Sequence, residues 1–226
     1  MQKLVVLTGA GVSAESGIKT FRDEDGLWEN YHVEDVCTPE ALLRNPELVL
    51  NFYNERRRQL KTVEPNCGHK LLAGMEKDFD VSIITQNVDN LHERAGSTKV
   101  LHLHGELTKA RSIKNPSLIV DIDGDISLGD LAPDGEQLRP HIVFFGEAVP
   151  MLEKAIPVVE QADILLIAGT SMAVYPAASL YGYARNETPI YVINPNDTTI
   201  SLSNVFYIKE KFVDGMKTFI EIMKNN

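Results

Sequence analysis

The chain has 226 residues, of which 43% are hydrophobic and 24% charged, and its formal net charge is −10. This length fits one large domain, or one domain carrying an inserted lobe. Such acidity disfavours binding to a phosphate backbone and favours encounter with basic protein segments, although it also fits a role in solubility alone. Since no apolar run reaches membrane-spanning length, we expect neither nucleic acid nor a membrane as a partner, and we expect a monomer.

Cysteine content and the first residues bear on the compartment. Cys37 and Cys67 are the two cysteines, too few for a disulfide framework or a four-cysteine zinc site. Residues 1–7 contain a short apolar run without the cleavage region of a signal peptide. These features predict a protein of the reducing cytoplasm.

Apolar runs alternate with segments of helical periodicity along the chain. The runs typical of buried parallel strands are 3–7, 81–85, 163–168 and 189–193. Helical spacing covers 38–45, 46–60, 67–77, 151–161 and 213–224. This alternation predicts an α/β fold with a Rossmann-like, doubly wound parallel sheet.

Two stretches do not follow the alternation. Residues 19–65 are mainly helical and polar, and residues 108–140 are rich in Asp, Gly and Pro. We therefore expect them to form a smaller lobe inserted into a large nucleotide-binding lobe made of residues 1–18, 66–107 and 141–226.

The loop after the first predicted strand contains Gly9, Ala10, Gly11, Ser13 and Ala14. A glycine-containing turn at this position brings backbone N–H groups close to a pyrophosphate. A strand-to-helix turn without a ligand is the alternative. Ligands of open α/β sheets bind at strand carboxyl ends, where the other predicted strands also end in polar or glycine-containing sequence.

The segment that follows this loop is not typical of a helix interior, because Gly17 leads into Thr20, Phe21 and Arg22. We expect a folded-back loop in which Arg22 holds phosphate and Phe21 shields a reactive sugar carbon from water. The alternatives are core packing for Phe21 and a surface ion pair for Arg22.

Residues 9–22 resemble the opening signature of the sirtuins, and residues 85–92, 102–107, 143–147 and 169–176 resemble four further sirtuin motifs in the same order. The resemblance covers almost the whole chain. It implies an NAD-dependent protein-lysine deacylase acting on acylated lysines in proteins. In that reaction the acyl oxygen attacks the ribose carbon bearing nicotinamide, and the products are nicotinamide, acyl-ADP-ribose and free lysine.

The resemblance also assigns roles to residues. Asn87 and Asp89 line the nicotinamide pocket, Gln86 contacts ribose, and His104 is the base, a role that suits an imidazole pKa near ~6.5. Turn capping is the alternative for the first three. His92 and His102 are expected to be satisfied structural residues, and no metal is expected because no ligand set is complete.

The complete set of expected NAD contacts includes loop residues and one lysine at a position where sirtuins usually have a small residue. It consists of Gly9, Ala10, Gly11, Ser13, Ala14, Thr20, Phe21, Arg22, Trp28, Gln86, Asn87, Val88, Asp89, Gly169, Thr170, Ser171, Asn194, Pro195, Asn196 and Lys211. An unliganded turn is the alternative for residues 169–171 and 194–196.

One segment is expected to bind the peptide around the acylated lysine. It is predicted to present a strand edge to which an extended peptide adds through main-chain hydrogen bonds. A plain internal strand is the alternative. The segment consists of Val143, Phe144, Phe145, Gly146 and Glu147.

Tyr53 and Arg56 are three residues apart in a predicted helix and so share one face. A hydroxyl and a guanidinium there would bind one carboxylate. The pair resembles the sirtuin subgroup that removes succinyl groups. Against this, Glu24 stands where that subgroup has alanine, and an inward carboxylate would repel an acidic acyl group.

Many sirtuins hold a structural zinc with four cysteines after the histidine motif, but residues 108–140 contain none. We therefore predict no zinc site, and a small lobe held by packing of Leu118, Ile119, Val120 and Ile126. Three other functions fit part of the pattern: an NAD oxidoreductase, a non-catalytic ADP-ribose or acyl-lysine binding module, and an ADP-ribosyltransferase.

Overall fold

The computed structural model describes residues 1–19, 27–28, 31–172, 174–196, 200 and 203–225, and at 27–28 it describes the backbone alone. The strands are β1 Lys3–Thr8, β2 Leu27–Trp28, β3 Tyr31–His32, β4 Asp80–Thr85, β5 Val100–His102, β6 Gly105–Ser112, β7 Ile119–Asp121, β8 Leu138–Ile142, β9 Ile164–Ala168, β10 Ile190–Ile193 and β11 Val205–Ile208. The α-helices are α1 Gly11–Ala14, α2 Val33–Val36, α3 Pro39–Arg44, α4 Pro46–Leu60, α5 Cys67–Gly74, α6 Leu91–Arg94, α7 Leu152–Glu160 and α8 Phe212–Asn225. Two 3₁₀ segments cover Met75–Lys77 and Ala177–Tyr183.

The central sheet has six strands in the order β11-β10-β9-β1-β4-β5, and every pair in it is parallel. The predicted α/β fold with a doubly wound parallel sheet is therefore confirmed. β5 and β11, which form its two edges, are not among the four apolar runs predicted as strands.

Both faces of this sheet are buried, because alternate side chains of each strand point to opposite faces. One apolar cluster contains Leu4, Val6 and Leu166 and packs against residues of α5 and α8 such as Leu72 and Phe219. The other contains strand residues such as Val5 and Leu165 together with residues from α7 and the 177–183 segment. Continuous apolar runs were thus the correct sign of fully covered strands.

A second, antiparallel sheet has the order β7-β6-β8, and α2, α3 and α4 form a mainly helical region beside it. The lobe boundaries expected at 107/108 and 140/141 fall inside β6 and β8. The division into two lobes stays a prediction. Among the helices described, none is both long and apolar enough to cross a bilayer.

Helix α4 is tied to the loop before the last strand of this sheet by Asn54, which is 3% exposed. Asn54 Nδ2 donates to the Ile126 carbonyl and Asn54 Oδ1 accepts from the Ile126 N–H, both at 2.9 Å. Arg57 donates from Nη1 to Asn54 Oδ1 at 2.8 Å and from Nε to the Leu107 carbonyl at 2.7 Å. Polar contacts from one helix therefore connect the antiparallel sheet to the rest of the molecule.

Packing in this region follows the prediction only in part. Ile126 is buried with Leu50 and Ala110, and Val120 packs against them. Ile119, in contrast, is 45% exposed, so its predicted role in the core is wrong. The physical reason is the alternation of β7, which turns Val120 inward and its neighbour to solvent.

Candidate functional site

Two glycine-containing loops pack against each other at the carboxyl ends of β1 and β9. The Gly9 N–H donates to the Ala168 carbonyl at 3.1 Å and the Gly11 N–H to the Gly169 carbonyl at 2.8 Å. Gly169 has a φ of +61°, and a Cβ there would lie 2.4 Å from the Val12 nitrogen, which only glycine avoids. The two N–H groups that the sequence suggested for a pyrophosphate are thus bonded within the protein.

Ser13 joins the first loop to the segment that follows β4. It lies in the short helix α1, which is preceded by Ala10 and ends at Ala14. Asn87 Nδ2 donates to Ser13 Oγ at 3.0 Å and to the Gly9 carbonyl at 3.1 Å. Ser13 Oγ donates to Asp89 Oδ2 at 2.9 Å. Two separate sequence motifs therefore form one buried hydrogen-bonded cluster.

The carboxyl group of Asp89 is buried within this cluster. Burial raises its pKa, while hydrogen bonds from the Leu91 N–H and from Ser13 oppose that shift. Val88, which lies between Asn87 and Asp89 in the sequence, lines a cavity together with Asp89. Amide, hydroxyl and carboxylate groups of this kind suit a carboxamide and ribose hydroxyls.

His104 follows β5 and its ring faces the same segment. Its Nδ1 lies 3.0 Å from the Gln86 carbonyl oxygen. Because a carbonyl only accepts, Nδ1 carries the proton and Nε2 of the neutral ring keeps a lone pair. Burial lowers the pKa of His104, and the hydrogen bond to Gln86 offsets part of that shift. At neutral pH the ring is therefore ready to accept a proton at Nε2.

The other two histidines of the motifs are buried and differ in their partners. His102 bonds the Asn87 carbonyl oxygen through Nδ1 at 2.9 Å and Glu93 Oε1 through Nε2 at 2.7 Å. His92 Nε2 lies 3.1 Å from Thr8 Oγ1, but its Nδ1 has no partner within the described residues. The expectation of a fully satisfied histidine is thus right for His102 and wrong for His92.

The loops after β9 and β10 contain further residues expected to contact NAD. Gln86 Nε2 donates to Thr170 Oγ1 at 3.3 Å, and Asn194 Nδ2 donates to the Thr170 carbonyl at 2.8 Å. The remaining residues predicted here are exposed on the loops after β9 and β10 and just before α8, namely Ser171, Pro195, Asn196 and Lys211. Thr20, Phe21, Arg22 and Glu24 lie outside the described residues, as does the side chain of Trp28.

Arg56 lines the same cavity as Val88 and Asp89. The volume of this cavity is about 40 Å³. The side chain of Arg56 is only 12% exposed, and Glu55 Oε2 lies 3.6 Å from Nη2. The guanidinium atoms Nε and Nη1 are buried without a hydrogen-bond partner in the described part of the chain. Since buried cationic N–H groups are normally paired, this arrangement favours an acidic ligand.

Tyr53, predicted to share a carboxylate with Arg56, is 0% exposed. Its hydroxyl is 2.8 Å from Cys37 Sγ, its ring stacks on Phe144 at 5.7 Å, and burial raises its pKa well above the usual value. Tyr53 is therefore not among the residues that line the cavity with Arg56. A role for Tyr53 in substrate binding stays a prediction.

The strand predicted at 143–147 is wrong, because β8 ends at Ile142 and the residues after it form a turn. The N–H groups of Val143, Phe144 and Phe145 donate to the His104 carbonyl, Glu147 Oε2 and the Cys37 carbonyl. Gly146 has a φ of +88° and turns the chain. These donors are therefore engaged within the protein and not arranged along a strand edge.

Glu147 anchors this turn from inside. Arg139 Nη1 donates to Glu147 Oε1 at 2.6 Å, and Arg111 Nη2 donates to Oε2 at 3.1 Å. Burial raises the pKa of Glu147, but hydrogen bonds from Arg139 and the Phe144 N–H, together with the charges of Arg139 and Arg111, outweigh it and hold the pKa below its usual value. The carboxylate thus fixes the turn, and Phe145 remains 45% exposed beside it.

No group of three or more His, Cys, Asp or Glu side chains that could hold a metal ion occurs in the described ranges. Within residues 108–140, which contain no cysteine, the structure has a polar cluster around Ser112. Ser112 Oγ donates to Asp134 Oδ2 at 2.7 Å and accepts from the N–H groups of Lys114 and Asn115 at 3.2 and 3.1 Å.

Comparison with known proteins agrees with this geometry. The Sir2 family model matches residues 9–176. An "NAD-dependent protein deacylase" of Helicobacter pylori (strain ATCC 700392 / 26695) is 56% identical over 218 residues, covering 96% of this chain and 95% of that protein. A second protein of that name, from Aggregatibacter actinomycetemcomitans, is 60% identical over 195 residues, covering 86% of this chain and 94% of the relative.

A solved structure described as a Sir2 homologue bound to NAD superposes with a TM-score of 0.85 at 37% identity, covering 99% of this chain and 90% of that one. The chain belongs to the Sir2 family, the sirtuins. It uses NAD, and the cluster of Ser13, Asn87 and Asp89 provides donors and acceptors that fit the cofactor's carboxamide and ribose.

Proposed function

We propose that this NAD-dependent protein deacylase acts on acylated lysines with His104 as its general base and with Asn87 and Asp89 facing the nicotinamide. The observation that carries this proposal is the contact of His104 Nδ1 with the Gln86 carbonyl at 3.0 Å. That contact fixes the neutral tautomer with a free lone pair on Nε2, the atom that a general base needs.

When bound, NAD supplies the ribose carbon that accepts the acyl oxygen and the ribose hydroxyl that takes over the acyl group. The protein's part is to orient and to move a proton. The buried cluster of Ser13, Asn87 and Asp89 holds the nicotinamide end. His104 Nε2 removes the proton from the ribose hydroxyl, and its lowered pKa keeps it unprotonated at pH 7.

Replacement of His104 tests the assignment of the base. His104→Ala should abolish deacylation and leave NAD affinity largely intact, because proton transfer stabilises the transition state and not the bound ground state. Peptide deacylation is followed by mass spectrometry, and NAD binding by calorimetry. Full activity of His104→Ala would refute the assignment. Transfer of ADP-ribose onto protein, without loss of the acyl group, would instead support the ADP-ribosyltransferase alternative.

We further propose that acidic acyl groups such as succinyl are among the substrates, bound by Arg56. Support comes from the two buried guanidinium nitrogens that have no partner among the described residues and from their place on the cavity wall beside Val88. A carboxylate of the acyl chain would complete the hydrogen bonds that Arg56 lacks, in a bidentate geometry that lysine cannot reproduce.

Matched acetyl-lysine and succinyl-lysine peptides test this assignment with Arg56→Met. We expect the variant to lose succinyl turnover by about 100-fold, as for a lost buried charge-assisted pair, while acetyl turnover is retained. The control is Arg58→Met, since Arg58 lies exposed on the same helix and pairs with Asp125. Wild-type protein that turns over only acetyl-lysine would refute the proposal and support the objection raised by Glu24.

The physiological partners that we propose are acylated proteins of the cytoplasm. A solved Sir2 protein that contains a deacetylated p53 peptide and an acetylated ADP-ribose superposes on this chain with a TM-score of 0.82 at 30% identity, covering 97% of this chain and 92% of that one. The acidic net charge of −10 supports encounter with basic, lysine-bearing segments.

A further inference from the structure

His102 occupies an unusual position between two acceptors. It is the last residue of β5 and is 8% exposed. One ring nitrogen lies 2.9 Å from the Asn87 carbonyl oxygen and the other 2.7 Å from a carboxylate oxygen of Glu93. Since carbonyl and carboxylate oxygens only accept, both ring nitrogens must carry protons, and the ring is a buried imidazolium.

We propose that the His102–Glu93 ion pair is a positioning device for the nicotinamide end of the site. The cation fixes the backbone of Asn87 and thereby the polar segment through Asp89. This inference rests on the proposed function, in which Asn87 and Asp89 face the nicotinamide. It adds two positioning residues, neither of which contacts the reacting atoms.

The contacts of Asn87 explain why its backbone must be held. Its side-chain amide donates to both the Gly9 carbonyl and Ser13 Oγ. A shift of the backbone would therefore misplace the amide relative to the glycine loop. The His102 bond to the carbonyl of the same residue fixes Asn87 from the opposite side.

His102 and His104 make the same kind of backbone contact but differ in protonation state. Both rings donate from Nδ1 to consecutive carbonyls, those of Asn87 and Gln86. In the described part of the chain no carboxylate bonds to His104 Nε2, and its pKa is lowered, mainly by burial. His102 meets Glu93 there, and the hydrogen bond and charge of that carboxylate outweigh the effect of burial and raise its pKa.

Several charged and titratable groups surround His102 and act on this equilibrium. Glu93 on α6 and Glu106 on β6 favour the cation. The cation in turn lowers the pKa of Asp89 on the neighbouring loop and of His92 on α6. Lys109 on β6 lowers the pKa of Glu93. The balance raises the pKa of His102 and so favours its charged form.

Loss of one proton has a defined consequence. The charge-assisted bond to Glu93 is the stronger of the two, so the remaining proton stays on Nε2. The lone pair on Nδ1 then meets the Asn87 carbonyl oxygen and repels it. We therefore expect the KM for NAD to rise by about tenfold as the pH rises through the pKa of His102, with kcat little changed.

Glu93→Gln tests this positioning role because it removes the negative charge beside His102 Nε2 but keeps a side chain that can hydrogen-bond there. The amide N–H of the glutamine can donate to Nε2 of a neutral ring, whose Nδ1–H still bonds Asn87. The rise of the KM for NAD at high pH should disappear in this variant. The control is Glu64→Gln, because Glu64 pairs with Arg94 of the same helix at 2.9 Å and should keep the wild-type profile. An unchanged profile in Glu93→Gln would overturn the proposal.

A second measurement needs no activity and no altered fold. Nitrogen-15 NMR of labelled wild-type protein should show both ring nitrogens of His102 protonated at pH 7, and Glu93→Gln should show one. A neutral His102 in the wild type would overturn the proposal even if deacylation occurs. Failure of the proposed function has a different signature, namely active His104→Ala with an intact His102 cation.

Discussion

Replacing Asn54 by alanine should weaken the attachment of the antiparallel sheet. The substitution removes both bonds to the backbone of Ile126, each 2.9 Å long, and the acceptor of Arg57 Nη1. Ile126 is 2% exposed, so water cannot readily replace the lost partner. The cost arises from the backbone groups that are left behind and not from the missing side chain itself.

The size of the loss in unfolding free energy follows from the number of buried polar groups that lose their partner. A buried polar group left unsatisfied costs about 1–3 kcal/mol, and the substitution leaves three such groups, the Ile126 N–H, the Ile126 carbonyl and Arg57 Nη1. Alanine returns up to ~0.7 kcal/mol through its higher helix propensity. We therefore expect the free energy of unfolding to fall by about 3 kcal/mol, a large part of the ~5–15 kcal/mol typical of a domain.

Urea unfolding followed by circular dichroism measures this change. The control is Asn51→Ala, since Asn51 is an exposed residue of the same helix. Without partners to lose in the core, that variant should be slightly more stable than wild type because of helix propensity alone. Loss of less than about 1 kcal/mol in Asn54→Ala would refute the view that this side chain secures the sheet.

Two further outcomes concern pH and metal. His69 and His92 are buried, and burial lowers their pKa values to about 4 and about 3. The unfolded chain therefore binds protons below pH ~6.5 that the folded protein excludes, so stability should fall by about 3 kcal/mol or more between pH 6.5 and 4. Urea unfolding at several pH values checks this, and His69→Phe should show a shallower decline. A strong chelator should leave circular dichroism and deacylation unchanged, because residues 108–140 contain no cysteine; a large loss of helicity would contradict this.

The sequence predicted the central sheet well because its strands are buried on both faces. The run at 163–168 corresponds to β9 Ile164–Ala168, and helix α4 was predicted with its observed bounds, Pro46–Leu60. A proline at the first position and an asparagine cap that accepts from the Leu48 N–H mark where that helix begins.

The antiparallel sheet could not be predicted in the same way. β6 Gly105–Ser112 alternates Leu107 with polar residues, and β7 is only three residues long. Their pairing depends on contacts distant in sequence, such as Arg111 with Arg139. Local patterns contain little information on such pairings, so no strand was predicted within residues 108–140.

The structure brings residues of two predicted motifs into contact, whereas other contacts at the site depend on tertiary partners that the sequence does not reveal. The cluster of Asn87, Asp89 and Ser13 unites two motifs that resemblance had already linked. The contact of Tyr53 with Cys37 had no sequence signal, because helical spacing indicates a face but not the neighbours of that face. The role of Glu93 was likewise missed, since only the folded chain shows which acceptor meets His102.

Helix α4 has a consequence for protein engineering. Within one turn it contains Asn54 and Arg57, which secure the antiparallel sheet, and Arg56, which lines the cavity. A library that randomises this turn to change acyl preference would lose many members to misfolding before selectivity could be measured. Selectivity should therefore be altered at Arg56 or Gln59 alone, with both anchoring residues kept fixed.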